Sequence, residues 1–135
     1  MKYIKLFENQ SLSNIINSIK KLLTPDLLKG IWKNSPHDNL SGHCYLATEC
    51  LYWYLGGPNS DYIPYVLSNR TWNDRLNKGE THWFLKNKNT NEIIDITKEQ
   101  FGNINIPYDN AKPNWMMNHP KGGSKRCKFI LNKLN

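Results

Sequence analysis

Gly42-His43-Cys44 stands at the head of an apolar run, and His82 and Asp95 follow on segments patterned like strands. A cysteine, a histidine and an aspartate in that chain order are what a thiol hydrolase or acyl-transfer site requires. The thiolate attacks a carbonyl, the imidazole moves the proton, and the carboxylate fixes the imidazole's tautomer and orientation. Each residue also has a structural reading. Cysteine is among the most buried residue types, a strand histidine can simply bond an aspartate, and Asp95 is spaced to cap the turn at Thr97. The helix-start position of Cys44 and the pairing expected downstream favour the chemical reading.

Ser41 is placed to cap a helix from about Gly42 to Leu55, which Gly56-Gly57-Pro58 would stop. Cys44 then falls in the first turn, where unpaired N–H groups and the positive end of the helix dipole favour a thiolate. Ala47, Leu51 and Leu55 follow it on one side, so the cysteine belongs to the inward stripe. Cys50 lacks the terminus effect and reads as packing.

Thr81 to Leu85 and Ile93 to Ile96 read as two strands, with a hairpin turn over Asn87 to Asn91. Such a pair sets His82 beside Asp95. By alternation, if His82 faces the Cys44 helix then Phe84 does too, while Trp83 and Leu85 face away. Ile93 and Asp95 share a face, with Ile94 and Ile96 on the other. Apolar residues on both faces imply a sheet covered on both sides. An acid in such a strand needs a partner, because burying an unpaired carboxylate is unfavourable, and His82 is the natural one.

The remaining elements frame this core. Leu12, Ile15, Ile16, Ile19, Leu22 and Leu23 predict an amphipathic helix over 10–23. Pro25 suits the start of a short helix reaching Trp32, before a polar loop at 33–40. Residues 62–67 read as a strand, with Pro64 favouring an edge or a strand start, and 69–80 as a loop. Thr97 to Phe101 suggests one helical turn. An irregular stretch over 102–123 would wrap the surface, anchored by Tyr108, Trp115, Met116 and Met117. Ser124 would cap a closing helix whose stripe is Cys127, Ile130, Leu131 and Leu134. The expectation is one α+β domain over 1–135: N-terminal helices and a Cys-bearing helix on a small antiparallel sheet, then a C-terminal helix.

Composition bounds the function. The 135 residues are 39% hydrophobic, with seven Tyr and five Trp, which is ordinary globular composition. No apolar run approaches the roughly 20 residues that span a bilayer, and Met1 to Glu8 lacks the apolar core of a signal peptide. The three cysteines form no CxxC pair and read as free thiols in a reducing compartment. These features predict a cytoplasmic protein without a membrane partner, in the host cytoplasm or a virion if the source is viral. The Asn, Lys and Ile richness fits an AT-rich genome of a virus or low-GC bacterium.

Two rival chemistries carry less. The net charge of +7 invites a nucleic-acid partner, but the lysines are scattered, with no Arg-rich arm or recognition motif. His37, His43, Cys44 and His82 are metal-ligand types, yet no HExxH or CxxC spacing groups them. No metal and no cofactor is expected. His119, between Asn118 and Pro120, reads as incidental.

Gly42-His43-Cys44-Tyr45-Leu46-Ala47, Gly56-Gly57, Thr81-His82-Trp83-Phe84 and Ile94-Asp95-Ile96-Thr97-Lys98-Glu99-Gln100-Phe101 together resemble the YunG-like family of small bacterial and phage proteins. The resemblance runs from about Trp32 to the C-terminus, and the Asp-to-Gln-Phe stretch is its most specific part. The order of Cys on a helix start, His on a strand and Asp on the next strand is similar to the papain-like and transglutaminase-like superfamily. That likeness implies Cys44 as nucleophile, His82 as general base and then acid, and Asp95 as orienter. Asp38 stands where papain-like enzymes carry an oxyanion Gln. The oxyanion donors would then be the Cys44 N–H and a second group, for which Asn39 is the neighbouring candidate. His43 and Trp83 are candidate substrate contacts.

The function expected is a cysteine hydrolase or acyltransferase of peptidase or amidase type, acting on a peptide, amide or ester through a thioester. The alternatives are an inactive relic of the same fold that binds a partner protein through its aromatic, basic surface, and a basic nucleic-acid binder.

Overall fold

The computed structural model describes residues 12–23, 44–68, 81–98 and 105–134. The expected short helix from Pro25, the loops at 33–40 and 69–80, the Ser41 cap and the turn residues 99–101 lie outside them. Among the described residues the chain forms helices α1 (Leu12–Leu22), α2 (Cys44–Tyr54) and α3 (Lys125–Lys133) and strands β1 (Tyr62–Ser68), β2 (Thr81–Asn87), β3 (Ile93–Ile94) and β4 (Lys112–Pro113). The strands make one antiparallel sheet in the order β3-β2-β1-β4. The architecture is α+β with a closing C-terminal helix, as expected. No helix among these residues is long and apolar enough to cross a membrane.

Helix α2 organises the core. Its residues Cys44, Leu46, Ala47, Thr48, Glu49, Cys50, Leu51 and Tyr52 are all buried, so a single inward stripe understates it. A helix apolar on most sides belongs inside the fold, and α2 packs against β2, α1 and α3 together. Thr48 is accommodated because its Oγ1 donates to the Trp83 carbonyl at 3.1 Å, which answers the hydroxyl's need for a partner. Helix α1 has the simpler pattern: Ile19 is fully buried, Leu12, Ile15, Ile16 and Leu22 pack against the core, and Ser13, Asn14 and Asn17 face water. Burying Ile19 alone contributes about 2–3 kcal/mol.

Strand β1 lies inside the sheet, between β2 and β4, and Pro64 stands near its start, the second of the two positions expected for it. The position is tolerated because the Pro64 carbonyl faces the β4 side, where it accepts from the Asn114 N–H. A strand residue's N–H and C=O point the same way, so the donor that proline lacks is missing from the two-residue β4 ladder. The seven-residue ladder with β2 loses nothing.

The Asn87–Asn91 turn forms as expected. Asn87 N donates to the Glu92 carbonyl and Asn87 Oδ1 accepts from the N–H groups of Asn89 and Thr90. Asn91 takes the positive φ of 64° that the turn needs. Strand β3 is shorter than the sequence suggests: it ends at Ile94, and the chain turns at Ile96 and Thr97. Asp95 therefore follows the strand instead of lying within it.

Residues 105–123 are more ordered than their proline content implies. They include 3-10 turns at Tyr108–Asn110 and Met116–Asn118, and strand β4. Of the expected anchors, Met117 is fully buried and receives the Trp53 Nε1 hydrogen bond on its carbonyl at 2.8 Å. Trp115 and Met116 are instead half exposed, at 54% each. Three consecutive residues on a 3-10 turn point in three directions, and only Met117 points inward.

Candidate catalytic site

Three elements bring the sequence-singled residues together. Cys44 is the first residue of α2. His82 is the second residue of β2, opposite Leu67 of β1 in the centre of the sheet. The β2–β3 register pairs Leu85 with Ile94. Carrying it one residue further sets Asp95 opposite Phe84 and diagonal to His82 on the same face.

The geometry follows from that register. His82 Nε2 lies 2.7 Å from Asp95 Oδ2, with the imidazole wholly buried. Because a carboxylate only accepts, Nε2 carries the proton. The nitrogen left for another partner is Nδ1, and the Cys44 sulfur acts electrostatically on this imidazole. Cys44 Sγ also donates to the Thr81 carbonyl at 3.5 Å, which fixes the sulfur at the start of β2. Cys44 keeps 9% of its surface exposed.

Burial alone would lower the pKa of His82. The hydrogen bond from the imidazole to Asp95, together with the electrostatic influence of Asp95 and Cys44, outweighs that effect and pushes it up to about 9. The site therefore holds a protonated imidazole beside the sulfur at neutral pH.

Strand β2 alternates as expected, with His82 and Phe84 on one face and Trp83 and Leu85 on the other, but α2 packs on the Trp83 face. Trp83 and Leu85 join the core with α2, and Trp83 meets Tyr45 edge-on at 4.9 Å. Phe84 lies on the opposite face, stacked on Tyr65 and edge-on to Tyr108. His82 shares that face by parity, yet it still reaches Cys44. The helix start meets the strand at its end, so the contact is made past the first residue of β2 instead of through the sheet. Trp83 is accordingly core: its indole N–H donates to Thr81 Oγ1 at 3.1 Å, and it is 5% exposed. His43 and Asn39 lie outside the described residues.

One member of the cluster was not singled out by chemistry in the sequence. The Tyr108 hydroxyl donates to Asp95 Oδ2 at 2.8 Å, the same oxygen that takes the imidazole proton. Burial and the neighbouring Asp95 charge raise the Tyr108 phenol's pKa and keep it a donor. The other two cysteines are fully buried and apart from the site. Cys50 is hydrogen-bonded with Cys127, and this contact and burial raise its pKa.

Among the described residues no group of three or more His, Cys, Asp or Glu side chains is arranged to hold a metal ion. Comparison with protein-family models, curated proteins and solved structures gives no match for this chain.

Proposed function

We propose that this protein is a cysteine hydrolase or acyltransferase that uses Cys44, His82 and Asp95 as a triad. The observation that carries the reading is the buried 2.7 Å contact between Asp95 Oδ2 and the His82 imidazole, with the Cys44 sulfur held on the carbonyl of the neighbouring Thr81. The Cys44 thiolate attacks the carbonyl carbon of a peptide, amide or ester, forming a C–S bond. The tetrahedral oxyanion collapses, the bond to the amine or alcohol breaks, and the imidazolium of His82 gives that leaving group its proton. Water or an amine then attacks the thioester, passing a proton back to His82. The C–S bond breaks and the thiolate returns. Asp95 holds the ring in the tautomer that both steps need.

The Cys44 backbone N–H, at the head of α2 where helical N–H groups lack intrahelical acceptors, supplies one oxyanion donor. The likeness of this order to papain-like and transglutaminase-like enzymes supports the same assignment. The YunG-like resemblance points to a bacterial or phage source.

The test is incubation with p-nitrophenyl acetate, followed by intact-mass and peptide analysis. The expected result is a burst of nitrophenol equal to the protein present and an acetyl group on Cys44, both absent from Cys44→Ala. Acetylation spread over lysines, with no burst and no dependence on Cys44, would remove the reading.

A further inference from the structure

We infer that Tyr108 is a positioning residue of the site, acting through Asp95 to keep the carboxylate on His82. This rests on the triad reading above, and deepens it by a fourth group that the chain order does not announce. Asp95 Oδ2 carries two hydrogen bonds, from His82 Nε2 at 2.7 Å and from the Tyr108 hydroxyl at 2.8 Å. Oδ1 is buried and has no hydrogen-bond partner among the described residues. The orientation of the carboxylate about its last torsion is therefore set at one oxygen, by these two donors. That torsion is broad and has little preference of its own. If the tyrosine donor is removed, only the histidine's own bond holds Asp95 in place.

The tyrosine is itself well held. Its ring meets Phe84 edge-on with centroids 4.9 Å apart, and Phe84 is stacked on Tyr65, its cross-strand partner in β1. The ring of Phe84 lies beside that of His82, at 6.3 Å. A rigid aromatic stack on the face away from α2 thus aims one hydroxyl at the carboxylate. Position matters here because the acid follows β3 and is no longer pinned by ladder hydrogen bonds. Among the described residues, the titratable groups that act on the imidazole include Asp95 and Cys44, with Tyr108 one bond further back.

The experiment is a double-mutant cycle in the full chain with two readouts. One is the titration of His82 followed by its ring resonances in NMR. The other is the rate of iodoacetamide alkylation at Cys44. Tyr108→Phe keeps the ring on Phe84, and thermal unfolding of each variant confirms that it folds. The expected result is a lower His82 midpoint in Tyr108→Phe and alkylation slowed about fivefold, the size of one lost hydrogen bond. In the Asp95→Asn background the same substitution should change neither. An unchanged midpoint and rate would overturn the inference. So would an upward shift, which would mean that Tyr108 competes with His82 for the oxygen instead of fixing it. Equal losses in both backgrounds would assign Tyr108 to packing alone and overturn it as well. If Asp95→Asn and His82→Ala leave Cys44 alkylation unchanged while Tyr108→Phe still lowers the His82 midpoint through Asp95, the triad reading fails and the positioning role stands.

Discussion

Glu49, in the middle of α2, takes two hydrogen bonds from Ser124: the backbone N–H at 2.9 Å and the hydroxyl at 2.8 Å. Ser124 is the N-cap of α3, and its oxygen also accepts from Cys127 N at 3.2 Å. A buried acid of one helix thus anchors the cap of another. Glu49→Ala strips both acceptors and leaves two donors in a dry site. Unfolding by urea should show a loss of about 2–4 kcal/mol, with Glu49→Gln losing less because it keeps one acceptor oxygen. A variant with wild-type stability would show that the anchor contributes nothing.

The three thiols should separate cleanly in the native protein. Cys50 and Cys127 are fully buried, and the Cys50 pKa is raised by its hydrogen bond with Cys127 and by burial, so neither should react with iodoacetamide until the chain unfolds. Cys44 should take one equivalent, and His82→Ala should slow it by about tenfold or more. Peptide mapping after partial labelling checks this. Equal labelling of all three would count against a selective site.

Stability should fall as solution becomes alkaline. The fold raises the His82 pKa from 6.5 to about 9, so the folded state binds the proton more tightly than the unfolded chain. That contribution is complete below pH 6.5 and is lost as the pH climbs through 9. It amounts to at most about 3 kcal/mol. Urea midpoints measured from pH 6 to pH 10 should slope downward in the wild type and flatten in Asp95→Asn. A flat wild-type profile would mean that the imidazole is not held charged by its neighbours.

Gly57 should not tolerate a side chain. Its φ is +59°, and a Cβ there would come within 2.5 Å of Trp53 Cζ3. Trp53 cannot simply yield, because its indole N–H is tied to the Met117 carbonyl. Gly57→Ala is expected to cost about 1–3 kcal/mol, read as a lower midpoint in thermal unfolding with unchanged Cys44 alkylation.

Much of this site is legible in the sequence. Cys44 was placed at a helix start by the Ser41 and Gly56-Gly57 signals around an apolar run, and the helix does begin there. The His82–Asp95 contact followed from two short apolar segments joined by an Asn-rich turn, which is a local pattern. What escaped was set by long-range packing. Glu49 looks like a surface acid until Ser124 reaches it from 75 positions away. Tyr108 sits in a stretch without periodicity, so nothing local marks its hydroxyl as different from six other tyrosines. Parity tells which residues of β2 alternate but not which face the helix covers, and α2 covers the Trp83 face. A helix end that meets a strand end escapes that rule.

The hairpin that carries both His82 and Asp95 also sets an order of assembly. Their contact closes only 13 positions of chain, whereas the Cys44 sulfur must come to the Thr81 carbonyl across 37. Shorter closures lose less entropy and form sooner. The His82–Asp95 pair is thus a local product of β2 and β3. The sulfur joins them only when α2 docks into the finished core. A chain still on its way to the native state carries Cys44 apart from His82 and Asp95, so the three residues meet only with the completed tertiary structure and part again when α2 undocks.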